Sequence, residues 1–500
     1  MSTQESLRRP PTNSDSAPPQ RPGLILAFLC LAGFMTFLDV SIVNVALPTI
    51  EKELHISQTS LQYIVTTYGM LLGGFLLLTG RLADAFGRRR MLQTGLLLFS
   101  GASLLAGFGQ NAPMLIVARG AQGLGAAFIA TAALSLLANN FKEGAERNKA
   151  LGAWGALSGI AAVAGVTLGG LLTDGPGWRW IFFINVPIGL LCAVIAPRVV
   201  GESRAEGPRR SFDVAGAVTL TAGLVLLIFS LGQTVSDSHV PAARVYGGFT
   251  LSALFLIAFV VIEQRTAAPL IPFSVFKRRS LTAANVVAIL LLGTCVTLFF
   301  FASLFMQQVL GWSALKTGLA YVPLAVIVAV GAGVASQLVT KVAAKPVLMT
   351  GLTLTSVGMF LLWRAPSDAS YLVDLLPAFL LSGLGLGLSF VPVQVSAFSG
   401  TQEDESGLSA GLINTAQEVG GALGLAVAAT YAFRRVAELT AWAHGDPARV
   451  DHARTEVFHD AFISGACFAA AGLLLTLILM PLTKASGQAS DQPAAAPAKA

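Results

Sequence analysis

The sequence predicts an all-α integral membrane protein of fourteen transmembrane helices, two groups of six with two additional helices between them. Three observations carry this. Of 500 residues, 54% are hydrophobic and 12% charged, whereas an ordinary soluble chain carries about a quarter charged residues. The apolar residues fall in runs of about 20, the length a helix needs to cross the hydrocarbon layer. Lys and Arg gather in alternate connections between the runs, as they do in short cytoplasmic loops.

Taken in order, residues 1–23 are rich in Pro, Ser and Arg and read as a disordered cytoplasmic tail. The first apolar run, 24–48, is too long for a removable signal peptide and has no small-residue cleavage site before the next charged loop. Spans follow at 60–80, 91–108, 113–138, 148–172 and 179–198, which completes an N-terminal six-helix bundle over 24–198. Runs at 212–233 and 245–263 form the additional pair, 212–263. The C-terminal bundle, 282–482, takes in 282–308, 317–339, 346–364, 374–398, 408–433 and 460–482. Residues 483–500, rich in Ala, Pro, Gln and Ser, read as a second disordered cytoplasmic tail.

With the N-terminus inside, the cytoplasmic segments hold 22 Lys or Arg and the opposite side holds 9; Arg119, within a span, completes the 32. Both termini are therefore expected in the cytoplasm, in a multi-pass protein of the inner membrane. The clearest clusters are Arg81, Arg88, Arg89 and Arg90, then Arg198, Arg204, Arg209 and Arg210, then Lys277, Arg278 and Arg279. One connection dissents: 399–407 carries Glu403, Asp404 and Glu405 and no base, although acidic residues weigh little in this rule. The net charge of +6 sits at helix ends rather than on one face, which points to membrane topology and away from a nucleic-acid partner. Cys30, Cys192, Cys295 and Cys467 all fall within spans, in no CxxC arrangement, and read as packing residues. The longest connection, 434–459, carries His444, His452 and His459 at spacings that fit no metal site, and reads as a solvated loop. No metal and no cofactor are expected.

Enzymatic chemistry finds no support. The nearest approach to a phosphate loop, Gly311 to Thr317, lacks the glycine before Lys316 and lies between two spans rather than after a strand. Energy for membrane work can instead come from an ion gradient, which needs ionisable groups inside the bilayer. Three qualify: Asp39 in the first span, Arg119 in the fourth and Glu418 in the thirteenth. An acid at mid-helix costs about 2.5 to 3.5 kcal/mol on insertion scales, so each needs a reason to be there. A relay or substrate site is the default reading. Asp39 could also be a hydrogen-bond acceptor between helices, Arg119 a structural charge that neutralises an acid, and Glu418 a group that snorkels to the cytoplasmic end.

The 51 glycines concentrate within spans, where small residues let helix backbones approach. Gly155, Gly159, Gly165, Gly169 and Gly170 form such a stripe in the fifth span and Gly383, Gly385 and Gly387 another in the twelfth. The connection after the second span reads Gly80-Arg81-Leu82-Ala83-Asp84-Ala85-Phe86-Gly87-Arg88-Arg89-Arg90. An acid among bases at helix ends can hold one conformational state by charge pairing. A weaker echo follows the tenth span, with Gly331, Gly333, Lys341 and Lys345 but no acid.

Between its tails the chain resembles the fourteen-helix drug:proton antiporter branch of the major facilitator superfamily. Five segments carry the resemblance, in order along the chain: Leu38-Asp39-Val-Ser-Ile-Val-Asn44-Val-Ala46-Leu47-Pro48; Gly80 to Arg90; Leu115-Ile-Val-Ala-Arg119-Gly-Ala-Gln122-Gly123-Leu-Gly125; Gly177-Trp178-Arg179-Trp180 through Asn185, Pro187 and Gly189; and Gln307-Gln308-Val-Leu-Gly311-Trp312. The resemblance implies two six-helix bundles with two central helices, a role for Arg119 in proton transfer, and a gate built on Gly80, Asp84, Gly87 and Arg88. The helix-packing antiporter motif of the fifth span falls on Gly165, Gly169 and Gly170, with Val166 where the branch carries proline. It implies nothing for Glu418. The reading is therefore a proton-coupled secondary transporter, working by alternating access as a monomer, with protons, a small-molecule substrate and the bilayer as partners. It exports hydrophobic or amphipathic molecules, and Asp39, Arg119 and Glu418 serve proton coupling. Uptake of a nutrient or metabolite, or a non-transporting membrane scaffold or sensor, are the alternatives.

Overall fold

The computed structural model describes residues 22–204, 213–235, 241–266, 269–402, 405–443 and 447–481. The C-terminal tail, all but two residues of the N-terminal one, and Arg209, Arg210, Glu403, Asp404 and His444 lie outside them. The first half comprises α1 (Pro22–Leu54), α2 (Gln58–Phe86), α3 (Arg88–Gly107), α4 (Ala112–Asn140), α5 (Ala145–Asp174), α6 (Trp180–Phe183) and α7 (Asn185–Val199). The additional pair is α8 (Val214–Val235) and α9 (Ala242–Arg265). The second half comprises α10 (Arg279–Gln308), α11 (Ala314–Ala320), α12 (Val322–Lys341), α13 (Ala344–Trp363), α14 (Leu376–Phe398), α15 (Ser406–Ala443) and α16 (Pro447–Leu479). No strand occurs among the described residues.

Every predicted span meets a helix. The sixth is split into α6 and α7 at Ile184, and the tenth into α11 and α12 at Tyr321. Among the described residues, 11 helices are long and apolar enough to cross a membrane. The sequences of α3 and α15 are more polar: the first opens on Arg88, Arg89 and Arg90, and the second carries Asn414, Thr415, Gln417 and Glu418.

Two expectations need correction. The Gly80–Arg90 connection is not a loop. The helix formers Leu82, Ala83 and Ala85 carry α2 on to Phe86, and only Gly87 interrupts, at φ 109°, a conformation that side chains with a Cβ rarely adopt. Nor do the described residues of 434–459 form a loop: α15 continues to Ala443 and α16 begins at Pro447. Ala, Glu and Arg favour helix, and nothing requires a helix to end where the bilayer does.

Within the first half α1 packs on α5, α2 on α4 and α3 on α4; within the second, α13 packs on α14, α10 on α15 and α12 on α14. The halves meet along two seams, α2 with α15 and α5 with α12. Hydrophobic burial supplies little drive in a bilayer, so close backbone approach must do so. A Cβ on Gly80 would strike the Gly407 carbonyl, one on Gly411 would lie 3.0 Å from the Leu76 carbonyl, and one on Gly152 2.9 Å from Ser336 Cβ. The additional pair does not lie between the halves but flanks a seam: α8 packs on α2, α15 and α9. The outer helix α9 exposes Leu251, Leu254, Ile257, Val260 and Val261, side chains suited to lipid.

Candidate functional site

The first polar constellation is built where α1, α4 and α7 converge. Asp39 is fully buried and Arg119 is 2% exposed. Arg119 Nη1 donates to Asp39 Oδ2 in a short charged contact. Asp39 Oδ1 accepts from Asn185 Nδ2 at 3.0 Å and from Gln122 Nε2 at 3.2 Å. Gln122, one turn beyond Arg119, also gives its Nε2 to Ser103 Oγ at 2.8 Å and takes Arg119 Nη1 on Oε1 at 3.0 Å. The guanidinium lies 4.2 Å from the centroid of the Tyr68 ring, and the Tyr68 hydroxyl donates to the Thr36 carbonyl at 3.3 Å.

Such a network suits a carboxylate in low dielectric. Burying either charge alone costs several kcal/mol, while pairing together with hydrogen bonds compensates it. A proton arriving on Asp39 would cancel its charge and release Arg119 to its other partners, the ring of Tyr68 and Gln122. The site can thus exchange a proton for a local rearrangement of charge. Sequence reading singled out Asp39 and Arg119 but gave no role to Gln122, Asn185, Ser103 or Tyr68. The available signal was position: Gln122 and Asn185 are amides inside apolar runs.

The second constellation closes the end of the molecule where the basic clusters lie. Arg88 Nη2 and Asp84 Oδ1 are 2.8 Å apart, both nearly inaccessible. Asp84 also reaches the other half: its Oδ1 accepts the Gly407 N–H at 2.8 Å and its Oδ2 the Leu408 N–H at 2.9 Å. These are orphan donors of the first turn of α15, where backbone N–H groups and the helix dipole favour an anion. Gly80 supplies the close approach to Gly407 and Gly87 the turn, so all four residues expected at the gate lie in one place. Two further bonds tie the halves at the same end, Ser135 Oγ to Ser406 Oγ at 2.6 Å and Asn148 Nδ2 to Thr340 Oγ1 at 3.0 Å. Glu202 braces α3 by accepting the Arg89 N–H at 3.1 Å.

The remaining predicted residues lie elsewhere. Gly165 and Gly169 face α1, where an added Cβ would strike Ser41 in the first case and meet the Ile42 carbonyl at 3.1 Å in the second; Gly170 faces open space. Glu418 does not join Asp39. It is half-buried on α15, and a Cβ on Gly73 of α2 would meet Glu418 Cβ at 3.2 Å. No group of His, Cys, Asp and Glu suited to a metal occurs among the described residues.

A profile of the Major Facilitator Superfamily matches residues 29–425. The chain belongs to this superfamily. Among its relatives are the puromycin resistance protein pur8 of Streptomyces alboniger, 36% identical over 457 residues, 91% of this chain and 90% of that one. The cephamycin export protein CmcT of Amycolatopsis lactamdurans is 35% identical over 467 residues, 92% and 93% of the two chains. Of solved structures, the human organic anion transporter MFSD10 superposes with a TM-score of 0.65 at 13% identity, covering 92% of this chain and all of that one. That likeness shows the fold alone; membership of the superfamily makes the chain a multi-pass membrane transporter of small molecules.

Proposed function

We propose that this chain is a proton-coupled secondary transporter of the drug:proton antiporter branch, exporting hydrophobic or amphipathic small molecules across the cytoplasmic membrane by alternating access. The observation that carries the coupling is the Asp39–Arg119 pair, buried inside the bundle and hydrogen-bonded to Asn185, Gln122 and the Ile64 carbonyl, all neutral groups of the same half. The direction rests on the relatives, whose names speak of puromycin resistance and cephamycin export.

Asp39 takes up and releases the proton, Arg119 answers its charge, and Glu418 is a second acidic group on the wall shared by α2 and α15. The basic end is the cytoplasmic one, with both termini there. The clamp of Asp84 on α15 is then a closed cytoplasmic gate, and the bundles 24–198 and 282–482 rock as monomeric halves about the two seams. One proton moving down about 100 mV supplies about 2.3 kcal/mol, against about 1.4 for each tenfold concentration ratio. A neutral solute can thus be held at somewhat less than a hundredfold gradient.

The test is transport in proteoliposomes with an imposed pH gradient, with puromycin and a cationic dye as probes. Accumulation that follows the gradient and collapses with a protonophore supports antiport. Movement of solute and protons in the same direction means proton-coupled uptake, and no movement of any probe favours a scaffold or sensor.

A further inference from the structure

The additional pair carries a cluster that the transport reading leaves unused. Asp213 caps α8: its Oδ1 accepts the Gly216 N–H at 2.8 Å. Glu263, in the last turn of α9, points inward, is 3% exposed, and accepts the Ile271 N–H on Oε1. The two remaining oxygens, Asp213 Oδ2 and Glu263 Oε2, are both buried and have no hydrogen-bond partner among the described residues. They converge on one point: a Cβ on Gly216 would lie 2.9 Å from Glu263 Oε2 and nearer still to Asp213 Oδ2.

Two ionised carboxylates are acceptors only, so facing each other in a dry site they repel and leave both oxygens unsatisfied. One proton between them turns the same geometry into a hydrogen bond shared by the pair. The charged groups that face Glu263 among the described residues are Asp213 on α8 and Arg81 on α2. Arg81 Nη2 is engaged with the Pro269 carbonyl at 3.3 Å. Among the described residues, no third acidic, His or Cys side chain joins the two carboxyls to make a metal site.

We propose that Asp213 and Glu263 form a second proton-binding site, distinct from Asp39, which holds one proton between Oδ2 and Oε2 and so fastens the 269–278 segment across the basic end. That segment is anchored at several points. Leu270, Ile271 and Val275 are buried, Pro269 is held by Arg81 of α2, and Arg278 pairs with Glu405 immediately before α15. It therefore spans the helix ends that Asp84 clamps, and Glu263 grips it at the Ile271 N–H. When the proton leaves, repulsion from Asp213 drives Glu263 toward water, the Ile271 N–H loses its acceptor, and the strap loosens. Alkaline conditions at the basic end thus favour opening of the gate, acidic conditions its closure.

Hydrogen exchange of the full-length protein in nanodiscs, corrected for the intrinsic pH dependence of exchange, tests this. Protection of the Ile271 amide in the wild type should fall about tenfold between about pH 6 and pH 9. In Glu263→Gln and in Asp213→Asn, whose amides can donate to the facing carboxylate at any pH, protection should change less than about twofold over that range. Glu263→Ala, which removes the acceptor outright, should lose protection at every pH. An infrared titration gives a readout that a purely structural role would not move. The wild type should show a protonated-carboxyl C=O band that disappears in step with Ile271 protection, a band the two amide variants lack. Protection in the wild type that ignores pH, amide variants that keep the wild-type profile, or a wild type without a band titrating in step with protection each overturns the proposal. The last measurement stands even if a variant fails to fold.

Discussion

Two buried Asp–Arg pairs stand out among the described residues, and they tie different parts of the molecule together. In the interior, the partners of Asp39 and Arg119 are Gln122, Asn185, Tyr68 and the Ile64 carbonyl, with Ser103 behind Gln122, all of the first half. At the basic end, Asp84 is paired with Arg88 one turn away, but its oxygens also reach the backbone N–H groups of Gly407 and Leu408, more than 320 residues away in the second half. The charges are alike and the reach differs. A pair closed within one half can change protonation while the halves stay put. A pair that spans the halves must break for them to separate.

The sharpest break of this contrast is at Asp39. Asp39→Asn keeps the shape but removes the counter-charge of a 2% exposed arginine, and stranding a buried charge costs about 3 to 5 kcal/mol. Gradient-driven transport in vesicles should fall at least about a hundredfold, which is about 2.7 kcal/mol of lost coupling. Asp39→Asn combined with Arg119→Gln should recover thermal stability without recovering transport. Equal transport by wild type and Asp39→Asn would sink the relay.

At the other pair the same change should alter conformation rather than coupling. Asp84→Asn weakens two charge-assisted bonds to the α15 N-terminus, each worth about 1.5 to 3 kcal/mol. Cross-linking or spin-label distances between the ends of α2 and α15 should report a shift toward the open basic end of about ten- to a hundredfold. Vesicle transport should then be slower yet still follow the pH gradient. Loss of gradient dependence with an unchanged α2–α15 distance would dissolve the distinction between the two pairs.

A smaller effect belongs to Gln122, which donates to Asp39 and Ser103 and accepts from Arg119. Gln122→Leu leaves those groups short of a partner at about 1 to 3 kcal/mol. Transport should fall about tenfold, while Gln122→Glu, which adds a second acid beside Arg119, should alter its pH profile more than its maximal rate.

How far the sequence anticipated all this depends on the range of the interaction. Spans were legible because apolar length and loop charge are local, and Asp39 and Arg119 stood out singly because ionisable groups are rare in hydrocarbon. Their pairing bridges 80 residues and that of Asp39 with Asn185 bridges 146, so no periodicity could reveal either. The gate motif was legible in composition and misread in form: helix formers carried α2 through Asp84 to Gly87. The two extra apolar runs each meet a helix, α8 and α9, but only tertiary packing tells that α8 flanks the α2–α15 seam. Asp213 and Glu263 escaped notice because each lies at a helix end, where an acid ordinarily meets water.

Glu418 offers the mildest test, because it belongs to neither pair. It sits half-buried on α15 against Gly73 of α2, and Ile228 of α8 lies against the same glycine. It thus stands on the wall that the halves share, where a carboxylate can meet a substrate as well as a proton. A carboxylate there attracts a cationic solute and gives a neutral one nothing in return, so Glu418→Gln should separate the two. The apparent affinity for a cationic dye should weaken about three- to tenfold, the equivalent of a partly solvated charge contact of about 1 kcal/mol, with a neutral probe unaffected. If both probes lose transport to the same degree as in Asp39→Asn, Glu418 carries coupling instead. The two halves would then share the proton work proposed above for the first.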